Sequence, residues 1–400
     1  MKVAMISEHA SPLAALGGVD AGGQNVHVAA LSAALARRGH EITVYTRRDD
    51  ADAPHQVVTP DGYRVVHVPA GPPRPLPKDK LLPHMGEFGA FLRERWSVVR
   101  PDVAHAHFWM SGLAAELAAR DLEVPVTQTF HALGTVKRRH QGAADTSPPA
   151  RIRFERLIAT RASRVVATCT DEVFELTRMG VPRHRISVVP CGVDTEAFAP
   201  DGPAAPPGRY PHRLLSVGRM VPRKGFEIAV RALAELPDTE LVIAGGTAAE
   251  REEADRLRGI AAEARVSQRV RLLGQVPRSA MPELFRSADA VLCTPWYEPF
   301  GMVPLEAMAC RRPVVATAVG GMIDTVVDGV TGRLVSSLDP HAIAEAVRPL
   351  LADATLRETW GTAGFARART RYTWDRVATQ TLAVYRRAAP LLAGQIASAR

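Results

Sequence analysis

The 400-residue sequence has little lysine, few aromatic side chains and no long apolar run. Only five of its 50 basic residues are lysine, and the arginines are scattered through alanine-rich stretches, so the net charge of +8 does not indicate a nucleic-acid site. No apolar run approaches the roughly 20 residues that cross a bilayer, and the first apolar run stops at Ser7 without a signal-peptide pattern. We therefore expect a soluble, cytoplasmic protein.

Cysteine is also scarce, with four residues that lie far apart and form no Cys-x-x-Cys pair. This pattern favours buried thiols over a zinc site or a redox couple. Asp50-Ala51-Asp52 has the form of a metal-binding Asp-x-Asp motif, but it lies in a run of charges before Pro54, which is typical of a solvated loop. The sequence therefore predicts no metal and no bound cofactor.

Apolar side chains make up 46% of the sequence, which is enough for two cores. Short β-branched or apolar runs alternate with helical patterns, which indicates parallel sheets with crossover helices. In the first half the predicted strands are 3–7, 41–46, 64–68, 102–107, 125–129, 164–168 and 186–189. In the second half they are 213–217, 240–244, 270–273, 290–293, 313–316 and 333–335. The predicted fold class is α/β, with two Rossmann-like halves.

The two halves are separated at residues 200–211, where proline and glycine are frequent and no periodicity is visible. We predict a first domain over 1–199, a linker over 200–211 and a second domain over 212–371. A C-terminal helix within 372–400 is expected to return to the first domain. In open α/β sheets, ligands bind outside the carboxyl ends of the strands, so two such domains facing each other would form a cleft for the chemistry.

Two permanent cations follow the first strand of the second half. Arg219 and Lys224 lie in the turn 218–225, which leads into a predicted helix over 227–236. A strand end beside a helix N-terminus suits a diphosphate, which Arg binds through two oxygens and Lys binds as a point charge. The alternative is that both side chains only cap a neighbouring loop.

A second cluster is Glu-Pro-Phe-Gly-Met-Val-Pro-Leu-Glu at 298–306, which follows another predicted strand. Because Gly301 has no side chain, a ligand can approach the backbone closely at the start of the helix. Backbone N–H groups near Gly301 and Met302 can then point at a ligand that carries negative charge or hydroxyls. Glu298 precedes this helix and Glu306 lies within it, so the two carboxylates can accept hydrogen bonds from different parts of one elongated ligand.

Together with 313–316, Gly320-Gly321 and 328–332, these two clusters resemble glycosyltransferase family 4. The resemblance spans nearly the whole chain. It implies the GT-B fold, in which two Rossmann-like domains with parallel sheets face each other across a cleft, the first binding the acceptor and the second the nucleotide sugar. It also implies transfer with retention of anomeric configuration and without a metal ion.

The resemblance also implies roles for individual residues in the reaction and in donor binding. The catalytic residues are Arg219, Lys224, Glu298 and His131, with the two cations on the diphosphate, Glu298 on the transferred sugar and His131 near the reacting carbon. The donor-binding residues are Gly23, Asn25, Val276, Phe300, Gly301, Met302 and Glu306. Among them Glu306 is expected on the ribose, and the backbone near Val276 on the base.

The N-terminal loop 17–26 contains Gly22-Gly23-Gln24 but lacks the Gly-x-Gly-x-x-Gly spacing of a dinucleotide site. With the segments 105–112 and 129–132, it is similar to the inositol-phosphate N-acetylglucosaminyltransferases of mycothiol synthesis and, in its glycines, to the sucrose-phosphate synthases. The implied acceptor residues are Lys78, His107, Phe108, Ala132 and Arg151. Phe108 and Ala132 stand where the mycothiol enzymes have a Tyr and a Thr that bind the acceptor phosphate, so two hydroxyls are missing here. A flexible turn with a helix cap is the alternative for the loop.

His105 and His107 alternate along one predicted strand and so share one face of it. With His131 they suggest a metal site, but no fourth ligand appears at a useful spacing, and acceptor binding or hydrogen bonding at the sheet edge is favoured. The basic tract 137–140, together with nearby arginines, suits a phosphorylated acceptor, an anionic membrane or plain solvent.

The sequence thus predicts an enzyme that moves a hexose or N-acetylhexosamine from a nucleoside-diphosphate sugar, with UDP favoured, to a small polyhydroxylated acceptor with or without a phosphate. The nucleotide sugar is a co-substrate, and the partners are these two small molecules. No nucleic acid is expected, a peripheral membrane contact is not favoured, and a homodimer stays open. The alternatives are an epimerase of the same fold that needs no acceptor, and a nucleotide-sugar-binding or membrane-docked protein without turnover.

Overall fold

A computed structural model describes residues 1–14, 22–247 and 250–389 of the protein. The chain folds into two compact units. The first contains the N-terminal part of the chain up to Pro190 together with the C-terminal helix from Trp374, and the second runs from Cys191 to Thr373. Each unit is built on one sheet whose strands alternate with helices along the chain.

The sheet of the first unit is parallel except at one edge. Its strands are β1 (Lys2–Ile6), β2 (Glu41–Arg47), β3 (Gln56–Val58), β4 (Arg64–Val68), β5 (Val103–His107), β6 (Val126–Thr129), β7 (Arg164–Ala167) and β8 (Ile186–Val188). Over the described residues they lie in the order β3-β4-β2-β1-β5-β6-β7-β8, and β3 pairs antiparallel with β4. The central strand β5 is buried along its whole length and yet carries two histidines, which is unusual for a strand covered on both faces.

The helices that follow these strands are α1 (Gly23–Arg37), α2 (Met85–Val98), α3 (Trp109–Ala119), α4 (Gly134–Gln141), α5 (Arg151–Arg161) and α6 (Thr170–Arg178). In α1, the side chains of Val28, Leu31 and Leu35 share one face and are at most 1% exposed. The chain leaves α1 through Gly39, whose φ of 80° lies in the left-handed region that favours glycine.

The sheet of the second unit is wholly parallel over the described residues. Its strands are β9 (His212–Val217), β10 (Thr239–Ala244), β11 (Val270–Gly274), β12 (Ala290–Cys293), β13 (Val314–Thr317) and β14 (Gly332–Val335), in the order β11-β10-β9-β12-β13-β14. Its helices are α7 (Phe226–Ala232), α8 (Arg251–Glu263), α9 (Met281–Ser287), α10 (Met302–Ala309), α11 (Gly321–Thr325), α12 (Pro340–Ala352) and α13 (Ala354–Arg371). The strand order reverses between β9 and β12, which creates the switch point where doubly wound sheets bind ligands.

The last described helix, α14 (Trp374–Ala388), belongs to the first unit. It packs against α1 and buries Trp374, Val377, Leu382 and Tyr385 in the same apolar cluster as β1 and β2. The ring of Trp374 also lies edge-on against His27 of α1, with 5.5 Å between centroids. The core of the first unit is therefore completed by residues from the far end of the chain.

The predicted strands are all present, with ends that differ by one residue at most. The prediction missed β3, and it extended the helix after Lys224 too far: α7 ends at Ala232 and gives way to the 3₁₀ turn Leu233–Glu235. A separate finding concerns membranes. Over the described ranges, no helix is both long and apolar enough to cross a bilayer.

Candidate active site

The turn after β9 contains a glycine, Gly225, where any side chain would collide with the neighbouring backbone. Gly225 takes a φ of 66°, and a Cβ at this position would lie 1.9 Å from the carbonyl oxygen of Thr294, which follows β12. Thr294 Oγ1 donates in return to the carbonyl oxygen of Gly225 at 2.9 Å. Because β9 and β12 are neighbours at the switch point, this contact brings the turn with Arg219 and Lys224 against the segment that follows β12.

The segment after β12 holds Glu298 in place through its backbone and leads into α10. The backbone N–H of Gly321 donates to the Glu298 carbonyl oxygen at 2.7 Å, and a Cβ on Gly320 would lie 2.3 Å from the same oxygen. Gly301 takes a φ of 67° immediately before the first residue of α10. The first-turn N–H groups of α10 have no partner within the helix, so this end of the helix can donate to a ligand.

Lys224 and Glu298 form the closest contact between the two clusters. Lys224 Nζ lies 2.5 Å from Glu298 Oε2, and Arg223 Nη1 lies 3.9 Å from the same oxygen. Burial by itself raises the pKa of Glu298, but the charges of Lys224 and Arg223 outweigh it and hold the pKa below its ordinary value. Glu298 is therefore ionised at neutral pH. The residues predicted to bind diphosphate and sugar lie side by side.

Arg219 pairs with a different carboxylate. Its Nε donates to Glu250 Oε1 at 3.0 Å, and Glu250 also accepts from the backbone N–H groups of Met220 and Thr247. Glu250 therefore ties the turn after β9 to the start of α8. The Arg219 side chain is 42% exposed, so it remains accessible to a ligand while Glu250 orients it.

Glu306 lies on the buried face of α10 and pairs with Arg278. Arg278 Nη1 lies 2.8 Å from Glu306 Oε1, and the Arg278 guanidinium lies 4.9 Å from the ring centroid of Phe198. Burial raises the pKa of Glu306 against the opposing charge of Arg278. Val276, in the loop predicted to meet the base, packs against the apolar cluster that contains Leu305 of α10. Glu306 and Val276, the residues predicted to contact the ribose and the base, therefore lie on the same side of the second unit, next to α10.

The glycine-rich loop of the first unit is described only in part, because residues 17–21 lie outside the described residues. Gly23 is the first residue of α1. Asn25 caps that helix: its Oδ1 accepts from the Gly22 N–H at 2.9 Å, and its Nδ2 donates to the Ser11 carbonyl oxygen at 2.9 Å. Asn25 is 3% exposed, so its amide serves the loop in this structure, and its predicted contact with the donor stays a prediction.

Four buried histidines of the first unit, His27, His105, His107 and His131, form what we call the histidine cluster. His107 Nδ1 lies 2.8 Å from His131 Nε2, and the two rings stack with centroids 5.1 Å apart. His105 Nδ1 lies 2.7 Å from the hydroxyl of Tyr385 in α14. His27 lies edge-on to His131 at 5.1 Å. The strand face predicted to carry His105 and His107 is therefore a hydrogen-bonded interior, and not a sheet edge.

Burial lowers the pKa of every member of the histidine cluster, to about 4 for His27 and about 3 for His105, and well below the ordinary value for His107 and His131. All four imidazoles are therefore neutral at neutral pH. Within the described residues, no group of three or more His, Cys, Asp or Glu side chains is arranged to hold a metal ion. Asp50 and Asp52 lie in an exposed turn.

We expect the free energy of unfolding to fall as the pH is lowered below 6.5. The unfolded chain binds protons at histidine as the pH passes 6.5, whereas the folded cluster stays neutral, so protons favour the unfolded state. The stabilisation is complete above pH 6.5 and is lost progressively until the folded-state pKa is reached, about 4 for His27 and about 3 for His105. Each histidine changes the stability by about 1.4 kcal/mol per pH unit in its window.

Urea unfolding on both sides of pH 6.5 measures this dependence. The variant His105→Gln keeps a buried polar side chain but removes one titrating ring, so its stability should fall less steeply with pH. His341→Gln is the matched control, because the His341 side chain is 64% exposed. Identical pH slopes for the wild type and His105→Gln would contradict the expectation.

Phe108 and His131 both have strained backbones at the carboxyl ends of adjacent strands. Phe108 follows β5 with a φ of 80°, and His131 follows β6 with a φ of 62°. Residues other than glycine rarely adopt this region, and each instance costs on the order of 1–3 kcal/mol. The Phe108 N–H donates to the Thr129 carbonyl oxygen at 2.8 Å, which fixes the two turns against each other. Such strain is concentrated at functional sites.

The predicted acceptor residues Lys78, Phe108, Ala132 and Arg151 come together beside these turns. Lys78 Nζ lies 5.4 Å, and Arg151 Cζ 5.1 Å, from the ring centroid of Phe108, within the range of cation–π contacts. Arg151 Nη2 donates to the Ala132 carbonyl oxygen at 2.6 Å. We call Lys78, Phe108 and Arg151 the cation–aromatic cluster. His107 is not part of it, since it is fully buried in the histidine cluster.

The sequence prediction missed partners that lie far along the chain. In the second unit these are Arg223, Glu250 and Arg278, and in the first unit His27 and Tyr385. The position of His27 next to Val28 on the buried face of α1 was a usable signal, because a polar ring on an apolar helix face needs a partner. No comparable signal marked Arg223, Glu250 and Arg278. These residues lie in polar turns, where charged side chains are expected whether or not they take part in a site.

Two family models match the chain. Residues 209–367 match the one described as Glycosyl transferases group 1, and residues 21–197 match Glycosyltransferase Family 4. With its two doubly wound sheets and paired charges at the switch point, the protein is a glycosyltransferase of the GT-B fold. A D-inositol 3-phosphate glycosyltransferase from Xylanimonas cellulosilytica is 38% identical over 408 residues, which cover 97% of this chain and 97% of that protein. The chain belongs to glycosyltransferase family 4.

Solved structures confirm the predicted fold class. A sucrose-phosphate synthase from Thermosynechococcus elongatus superposes with a TM-score of 0.88 at 31% identity, covering 98% of this chain and 99% of that one. Anabaena HepE, solved in complex with UDP and glucose, superposes with a TM-score of 0.73 at 20% identity, covering 96% of this chain and 98% of that one. At that identity, the second likeness concerns the fold alone.

Proposed function

We propose that the protein is a retaining, metal-independent transferase that moves a hexose or N-acetylhexosamine from a UDP-sugar, bound by the second unit, to a small polyhydroxylated acceptor, bound by the first. The observation that carries the proposal is the contact of Lys224 with Glu298 at 2.5 Å. It supports the proposal because the cation proposed for the diphosphate and the carboxylate proposed for the sugar are neighbours at the switch point of a Rossmann-like sheet. The names of the similar proteins, which mention D-inositol 3-phosphate and sucrose phosphate, support a polyhydroxylated acceptor.

On the donor side, positively charged groups would compensate the negative charge of the leaving diphosphate. As the bond between the sugar and the diphosphate breaks, negative charge grows on the leaving oxygen. Lys224, Arg219 and the N–H groups at the start of α10 can stabilise that charge without further reorganisation. Because these groups supply positive charge, the proposed reaction needs no divalent metal.

Glu298 and Glu306 would orient the donor at its two ends. Glu298 is ionised and can accept hydrogen bonds from hydroxyls of the transferred sugar. Lys224, which lies 2.5 Å from Glu298, would be shared between this carboxylate and the diphosphate. Glu306, fixed by Arg278, would accept from the ribose. On the first unit, the neutral ring of His131 would meet the sugar near the reacting carbon. A neutral imidazole provides hydrogen bonding there without adding charge.

We also place the reaction in the cytoplasm. All four cysteines are buried thiols, in keeping with a reducing compartment. The nucleotide sugar would be a co-substrate that is consumed at each turnover. The oligomeric state enters no step of the proposed mechanism.

The experiment is a thermal-shift screen against UDP-, GDP-, ADP- and dTDP-sugars, followed by proton NMR of the products. We expect UDP-sugars to raise the melting temperature, because selective binding stabilises the folded state. With an acceptor present, the product should keep the anomeric configuration of the donor, and a chelator should leave the rate unchanged. An inverted product or a magnesium requirement would contradict the mechanism, and conversion of the donor sugar without an acceptor would indicate an epimerase.

A further inference from the structure

We propose, resting on the function proposed above, that His107 is a positioning residue. Together with Met5 it holds His131 in the neutral form that carries its hydrogen on Nε2, so that the Nδ1 atom of His131 accepts a hydrogen bond from a hydroxyl of the sugar. A neutral imidazole has one N–H and one nitrogen with a lone pair. Which nitrogen carries the hydrogen therefore decides whether His131 accepts from its ligand or donates to it.

The contacts that carry the proposal cross three neighbouring strands of the first sheet. Met5 lies in β1, His107 is the last residue of β5 and His131 comes shortly after β6. His107 Nε2 lies 3.4 Å from Met5 Sδ, and His107 Nδ1 lies 2.8 Å from His131 Nε2. Met5 and His107 are fully buried. The hydrogen positions of the two rings are therefore set by the protein groups around them.

Met5 decides which nitrogen of His107 carries the hydrogen. A thioether sulfur has no hydrogen of its own and can only accept. His107 must therefore carry its hydrogen on Nε2, because the reverse arrangement would place two lone pairs against each other at 3.4 Å. Burial lowers the pKa of His107 well below its ordinary value, so the ring is neutral and has no second hydrogen. Its Nδ1 can then only accept.

The same argument extends from His107 to His131. Since His107 Nδ1 accepts, the nitrogen that faces it at 2.8 Å, His131 Nε2, must be the donor. Burial also lowers the pKa of His131 well below its ordinary value, so this neutral ring has its one hydrogen on Nε2 and a lone pair on Nδ1. A lone pair accepts from a hydroxyl and repels an anionic oxygen. The group that meets this nitrogen is therefore a hydroxyl, as on a sugar.

His105 lies against the pair without taking part in its hydrogen bonding. Its ring is 4.1 Å from that of His107 between centroids, but its Nδ1 lies 2.7 Å from the Tyr385 hydroxyl and its Nε2 lies 2.8 Å from Thr129 Oγ1. The Tyr385 hydroxyl is also 3.9 Å from Met5 Sδ, where the sulfur can again only accept. The direction of the bond between His107 and His131 therefore depends on Met5.

Long-range proton–nitrogen NMR spectra of the full chain with isotope-labelled histidine test the proposal directly, because protonated and unprotonated ring nitrogens have well separated shifts. In His107 and His131 we expect Nε2 to be protonated and Nδ1 to be unprotonated. The variants His107→Asn and His131→Gln assign the two sets of signals. Adding UDP-glucose should shift the Nδ1 signal of His131, whereas UDP alone should not, because the transferred sugar supplies the hydroxyl.

Met5→Leu removes the sulfur and keeps a buried apolar side chain. His107 can then also donate from Nδ1 to His131 Nε2, so we expect a second form of His131 in the spectra. The loss of one hydrogen bond should lower kcat/KM roughly three- to tenfold. Met85→Leu is the matched control, because Met85 is also 1% exposed and its sulfur accepts no hydrogen bond from the described residues. It should change neither the spectra nor kcat/KM.

Two variants of His107 separate positioning from packing. His107→Asn places its Oδ1 near the position of the imidazole Nδ1 and so keeps an acceptor for His131, whereas His107→Leu removes the acceptor. We expect the asparagine variant to keep the wild-type form of His131, and its kcat/KM to be at least about tenfold higher than that of the leucine variant. A packing role alone would leave the His131 signals unchanged in both variants.

A hydrogen on Nδ1 of His131 in the wild type would overturn the proposal, whatever the activity. Equal kcat/KM in the wild type, Met5→Leu and His107→Leu would overturn it as well, since the form of His131 would then not matter to the reaction. Failure of the wild type to bind UDP-glucose or to transfer any sugar is a distinct result. It would contradict the proposed function, while the spectra of the unliganded protein would still decide which nitrogen is protonated.

Discussion

Lys224→Ala is expected to lower kcat/KM by about 10²–10³-fold, the usual effect of losing one group that stabilises developing negative charge. Lys224 lies in the turn after β9, its side chain is 16% exposed, and its Nζ lies 2.5 Å from Glu298 Oε2. Little water is available there to replace it. Without Lys224, the proposed diphosphate site loses a cation, and Glu298 keeps the more distant Arg223.

Lys224→Ala removes both an ion-pair partner of Glu298 and a group proposed to bind the diphosphate, and the two effects must be separated. Lys224→Ala leaves Glu298 buried without its nearest cation, so we also expect a lower melting temperature. The double variant Lys224→Ala/Glu298→Gln should recover that stability but not the rate. Lys80→Ala removes an exposed lysine elsewhere and serves as the control. Unchanged kcat/KM in both Lys224→Ala and Arg219→Ala would mean that these cations do not carry the reaction.

Apart from β3, the strands of both sheets were predictable because each is a short β-branched or apolar run between polar turns, and strands covered on both faces are mostly apolar. The edge strand β3 could not be predicted in this way. It has three residues, of which the first and last are exposed, and it pairs antiparallel with β4. Nothing in such a short and largely exposed segment separates it from a loop.

The candidate site was predictable in its residues but not in its contacts. Lys224 and Arg219 are five positions apart, yet one pairs with Glu298 and the other with Glu250. Which carboxylate each cation meets depends on the order of the strands, and a single sequence does not reveal that order. The same holds for the positive φ angles of Phe108 and His131, since only glycine gives a signal for this region.

Tyr385→Ala is expected to lower the free energy of unfolding of the first unit by about 3–5 kcal/mol, as for other buried aromatic residues. Tyr385 is fully buried in the cluster that joins α14 to α1, and its ring lies edge-on to His105 with centroids 5.5 Å apart. Removing the ring leaves a cavity at a place where α14 and the histidine cluster share a hydrogen bond. The loss should appear as a melting temperature lower by roughly 10 °C.

Tyr385→Phe separates packing from hydrogen bonding. It keeps the ring and removes only the hydroxyl, so His105 Nδ1 loses a partner at 2.7 Å, at a cost of about 1–3 kcal/mol. Arg386→Ala, on the exposed side of α14, should be neutral. Urea unfolding of the three variants measures the series. If Tyr385→Ala were no less stable than Tyr385→Phe, the ring would not be packed as the structure shows. If Tyr385→Phe were as stable as the wild type, the hydroxyl would contribute nothing to holding His105, and α14 would support the cluster by packing alone.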